Sequence, residues 1–186
     1  GTAQNAALRF LFEFLLQTVA FKRRDSKIIG ISPDVDEIAG LAAPSYGHWI
    51  DRLVETYHRG TEITPDRSFV RNCISSPLMA ATHDVRAFVM IDGLHIAPRL
   101  NRGDTFFEDV IDIFSRAGVP FVLAGQRRFL FARTLLKTMP VEPLVFSDAG
   151  ELGMKLSAET GVKINDQTRD LIAVQSGGRP GFIESL

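Results

Sequence analysis

Asp92 closes an apolar run, Ala87 to Ile91, within the segment AFVMIDGLH. A carboxylate at the carboxyl edge of a buried strand can hold Mg²⁺ against nucleotide phosphates, directly or through water. The same residue, followed by Gly93, can instead cap the next turn, as Asp-Gly pairs commonly do. His95, three residues on, either couples a bound nucleotide to a neighbouring element or is a polar turn residue. A second apolar run, VPFVLA, leads into Gly125, Gln126, Arg127 and Arg128. There Gln126 lies closest to the strand end and can reach a terminal phosphate, and Arg127 can pair with phosphate bidentately. Otherwise this stretch is the solvated first turn of a helix. Gly178, Arg179 and Pro180 form a turn between two helical stretches, with glycine permitting the turn and proline starting the next helix.

These residues need elements to position them. Apolar spacing predicts helices over 6–24, 47–58, 68–82, 105–117 and 127–136, with Pro77 kinking or splitting the third. The basic cluster Lys22, Arg23 and Arg24 suits a helix C-terminus. Short apolar runs predict buried strands at 27–32 (KIIGIS), 86–92 and 119–124, and a further strand at 141–146. From Ser147 onward the pattern is helical: 149–160, 166–175 and a start at Gly181. Apolar runs alternating with helices suggest a parallel sheet covered on both faces, with chemistry at the carboxyl ends of its strands. The expected fold class is therefore α/β, with a core over 1–146 and a small helical lid over 147–186.

Composition narrows the function classes. Forty-five per cent hydrophobic and 23% charged residues in a chain of 186 are ordinary for a globular protein with a full core. A formal net charge of −1 removes any whole-molecule electrostatic case for nucleic acid or membrane. DNA contact would have to come from local clusters: Lys22, Arg23, Arg24 and Lys27, or Arg127, Arg128, Arg133 and Lys137. Such clusters are usually solvated helix faces. The one cysteine, Cys73, excludes an intramolecular disulfide and fits a reducing, cytoplasmic compartment. The first apolar stretch, LRFLFEFLLQTVAF, is interrupted by Arg9 and Glu13 and falls short of a membrane span.

In order and spacing these segments resemble AAA+ and STAND-type P-loop ATPases. The nearest likeness is to ExeA-like and TniB/TnsC-type ATPases, the latter being regulators of DNA transposition. The resemblance rests on MIDGLH, on GVPFVLAGQRRFLFARTL and on INDQTRDLIAVQSGGRPGFIESL. It implies a parallel-sheet P-loop NTPase-type (AAA+) core with a C-terminal helical lid, binding ATP or ADP with Mg²⁺. It also implies self-association and action on DNA or a protein partner. Asp92 would be the metal ligand, Gln126 the sensor, and Gly178 to Pro180 would lie near the adenosine, with Arg179 a candidate second sensor. Phosphate binding would fall on Gly1 to Leu8, including Asn5, with Ala6, Ala7 and Leu8 standing where such a loop carries Gly, Lys and Ser or Thr. Gly93 stands where many such enzymes carry the Glu that polarises the attacking water. The expected activity is thus a nucleotide-dependent switch with hydrolysis in doubt, the loop being degenerate or truncated. The alternatives are a non-hydrolysing scaffold for protein contacts and a STAND-type signalling module.

Overall fold

The computed structural model describes residues 2–31, 33–42, 46–62, 66–99, 103–126 and 136–185. Two units divide the chain, Gly1–Thr134 and Leu135–Leu186. The first is built around α1 (Ala3–Arg23), whose inward stripe of Ala7, Leu11, Leu15 and Val19 is buried. Its start is capped by Thr2, whose hydroxyl accepts the Asn5 N–H at 3.1 Å. Its end is set by Arg24 in the left-handed conformation (φ 54°), with Lys22 and Arg23 in the last turn where cations suit the helix dipole.

Around it pack α2 (Lys27–Ile31), α3 (Val35–Leu41), α4 (Gly47–Glu62), α5 (Arg67–Ile74) and α6 (Ser76–Ala81). Helix α3 opens on a capping box, Asp34 accepting the Glu37 N–H and Glu37 accepting the Asp34 N–H, both at 2.8 Å. The stretch read as one helix with Pro77 inside it divides at Ser75, and Pro77 sits in the first turn of α6, where its missing N–H is harmless. Strand β1 (Val89–Ile91) runs through a 3₁₀ helix (Leu94–Arg99) and α7 (Gly103–Ala117) to β2 (Phe121–Leu123). Phe106, Val110 and Phe114 of α7 join the same core.

The expected multi-stranded parallel sheet with a P-loop NTPase (AAA+) core is not what this chain forms. The structure is mostly helical, and among the described residues only β1 and β2 pair. Two expected strands account for the difference. KIIGI forms α2, started by the Asp25 carboxylate, which accepts the Lys27 N–H at 3.0 Å. An apolar run that short does not distinguish helix from strand, and here only Ile28 is buried. Residues 141–145 join no strand ladder among the described residues, Val141 is 91% exposed, and Phe146 already begins a helix. Pro143 inside that run lacks the N–H a ladder needs. The helix expected over 127–136 falls almost wholly outside the described residues.

The second unit holds α8 (Phe146–Thr160), α9 (Asp166–Ser176) and α10 (Pro180–Ile183), packed around Ala149, Ala173 and Ile183. Asn165 caps α9 by accepting the Thr168 N–H at 2.8 Å.

Candidate functional site at the carboxyl ends of the strand pair

β1 and β2 are parallel in the register Val89↔Phe121, Met90↔Val122, Ile91↔Leu123. The pairing runs from Val89 N–H donating to the Pro120 carbonyl (3.0 Å) to Ala124 N–H donating to the Ile91 carbonyl (2.8 Å). Leu94 N–H then donates to the Ala124 carbonyl at 3.1 Å, drawing the two strand ends together beyond the ladder. Asp92 and Gln126 are both exposed at these ends. The Asp92 carboxylate accepts the Gly93 N–H at 2.6 Å, and Gly93 turns the chain with φ +69°. This is the turn-capping geometry, and the second carboxylate oxygen has no hydrogen-bond partner among the described residues.

His95 packs on Gly125. A methyl group placed there would lie 3.2 Å from the His95 backbone nitrogen and 3.7 Å from Nδ1. Glycine therefore lets the two strand ends approach. His95 Nδ1 is buried without a hydrogen-bond partner among the described residues.

The remaining expected residues lie elsewhere. Asn5, Ala6, Ala7 and Leu8 occupy the first turns of α1. Ala7 is fully buried, and a methyl on Gly60 of α4 would strike Leu8 and Phe69. Among the described residues of this helix start there is no lysine, and the Asn5 N–H is already taken by Thr2. Gly1, Arg127, Arg128 and Arg133 lie outside the described residues. Gly178, Arg179 and Pro180 belong to the second unit. There the Gly178 carbonyl accepts the Leu144 N–H at 2.8 Å, and any Cβ on Gly178 (φ +70°) would collide with the Leu144 backbone. Arg179 lies 5.6 Å from the Phe182 ring centroid. Of the basic clusters, Arg23 donates to the Leu41 carbonyl at 2.9 Å and Lys22 lies 6.0 Å from the Tyr46 ring.

Among the described residues, no three His, Cys, Asp or Glu side chains gather into a metal cluster. A divalent cation at Asp92 would thus complete its shell with water or with ligand oxygens, as Mg²⁺ commonly does.

Sequence reasoning missed a charged cluster. Asp109 of α7 is buried and held by two arginines of α5. Arg67 donates from Nε to Oδ2 at 3.1 Å and from Nη2 to Oδ1 at 2.9 Å. Arg71 donates from Nη1 to Asp109, and from Nη2 to Asp112 at 3.0 Å. Hydrogen bonding to Asp109 raises the Arg67 pKa, and hydrogen bonding to Asp112 and then Asp109 raises that of Arg71. The signal was present: Asp109 sits on the apolar face with Phe106, Val110 and Ile113, and Arg67 and Arg71 are one helical turn apart.

Comparison with protein-family models, with curated proteins and with solved structures finds no match to this chain.

Proposed function

We propose that this chain is a nucleotide-responsive switch that does not turn its ligand over and that acts through a protein partner. The reading rests on one observation: Asp92 and Gln126 stand exposed at the carboxyl ends of two hydrogen-bonded parallel strands, the usual ligand position in such βαβ units. Asp92 has one carboxylate oxygen free for a hydrated Mg²⁺ carrying nucleotide phosphate, and Gln126 supplies a neutral donor. Gly93 offers no base to activate water, which favours binding without hydrolysis. The likeness to AAA+ and STAND ATPases supports the same activity, with transposition control or signalling as its setting.

A second reading, a scaffold that takes no nucleotide, is favoured by the buried Ala7 and the packed Leu8 at the start of α1. Titration with ATP or ADP in the presence of Mg²⁺ separates the two. The switch gives saturable binding, lost in Asp92→Ala, with no phosphate release. Absence of binding by the wild-type chain leaves only the scaffold. A DNA partner would show itself by affinity falling steeply with salt.

A further inference from the structure

The outer face of β1 and its edge, unpaired among the described residues, carry features that share only Asp92 with the nucleotide reading. Parallel strands are ordinarily covered on both faces. Here the inner face, with Val89 buried, rests on the core, while Phe88, Met90 and Val122 are 59%, 74% and 48% exposed. Val89 and Ile91 direct their backbone groups to β2. By the alternation of a strand, Phe88 and Met90 direct theirs to the opposite edge. That edge borders a groove between α1 and residues 85–90, lined by Phe10, Phe14, Phe21, Phe88 and Met90. A peptide edge with no partner strand among the described residues, beside an apolar groove, is a template for another extended strand.

The charges identify which strand. Arg86 and Asp92 are exposed and flank the segment symmetrically about Val89. We propose that β1 pairs antiparallel with β1 of a second copy across a two-fold axis at Val89, forming a four-stranded sheet. In that register Arg86 faces Asp92 of the second copy, Phe88 faces Met90, and each contact occurs twice, as an isologous interface requires. The backbone agrees independently. Phe88 and Met90, whose N–H and C=O point to the free edge, are the residues that become the hydrogen-bonded pairs, and Val89 meets its own copy in a non-hydrogen-bonded position. Arg86 has no ion-pair partner among the described residues, and Asp92 keeps one carboxylate oxygen after bonding Gly93. Opposite charges across the strands favour this register and like charges oppose it. The pairing does not depend on nucleotide binding, and its short ladder makes it a weak, concentration-dependent dimer.

Two complementary charge variants test it by sedimentation velocity. Arg86→Asp alone and Asp92→Arg alone each place like charges opposite one another twice, so each weakens the dimer about tenfold. Mixed, the two variants match at both positions and associate with each other more tightly than either does with itself. A cysteine pair then reads the register. Facing Cα atoms about 5.5 Å apart suit a disulfide, so a mixture of Phe88→Cys and Met90→Cys chains cross-links in preference to either variant alone. Cys73 is buried and stays out of the reaction. A wild-type chain that stays monomeric at all concentrations, a dimer indifferent to both charge variants, or cross-linking no better in the mixture would each overturn the proposal. In the first case the edge is left for a strand from a different protein.

Discussion

Two carboxylates in the first unit have opposite surroundings. Asp109, between α5 and α7, has a side chain only 1% exposed and receives bonds from Arg67 and Arg71. Asp92, at the end of β1, is exposed and among the described residues accepts only the N–H of its neighbour. A buried carboxylate is tolerable only when charge and hydrogen bonds compensate its lost hydration. An exposed one needs nothing, and so remains free to meet a ligand or a second chain. The region that holds the fold together and the region open to function are thus separable, and substitution should separate them.

The largest effect is expected at Asp109. Asp109→Ala removes the buried acceptor shared by Arg67 and Arg71, whose guanidinium groups reach solvent, and leaves the Arg71–Asp112 bond as the remaining charged link between α5 and α7. Because the charges left behind are solvated, the loss is that of hydrogen bonds to a charged group, about 2–3 kcal/mol. Chemical denaturation should show that loss, and a change below 1 kcal/mol would mean that the arginines find solvent without strain.

A second contrast adds one methyl group to each region. Gly60→Ala places it against Phe69 and Leu8 in the α1–α4–α5 packing, and overpacking of this kind destabilises by about 1–3 kcal/mol despite alanine's better helix propensity. Gly125→Ala meets the His95 backbone at 3.2 Å, close but at the rim of the unit. Relief of unfolded-chain entropy offsets part of that crowding, for a net change under about 1 kcal/mol. Thermal unfolding of the two variants decides whether the strand ends are as tightly packed as the core.

The same division explains what could be read from the sequence. Helices with long apolar stripes, α1, α4 and α7, were legible because 3.6-residue periodicity survives whatever packs against it. The strands at 89–91 and 121–123 were legible as apolar runs, shorter in the structure than the runs themselves. KIIGI was not: a five-residue run with three isoleucines fits helix or strand equally, and the deciding bond comes from Asp25, outside the run. Asp92 drew notice because an acid ending an apolar strand breaks a pattern. Asp109 did not, because its partners are 42 and 38 residues away, and such a pairing is visible only once α5 and α7 lie together. Arg86 and Asp92 as a symmetric pair needed the ladder's register before their spacing meant anything.

The smallest effect on stability, and the sharpest test of the comparison, belongs to Asp92→Asn. The amide keeps the shape and still accepts the Gly93 N–H, so the turn is preserved and stability should stay within about 0.5 kcal/mol of wild type. What disappears is the charge. Mg²⁺-dependent nucleotide binding should be lost if the free oxygen holds the cation, and the β1–β1 contact should weaken through its missing partner for Arg86. The two readouts are separate measurements on the same oxygen. Loss of binding with an unchanged monomer–dimer equilibrium assigns the carboxylate to the ligand; the reverse assigns it to the second copy. If Asp92→Asn instead lowers stability as much as Asp109→Ala, the carboxylate is a structural group after all, and the contrast between the two regions fails.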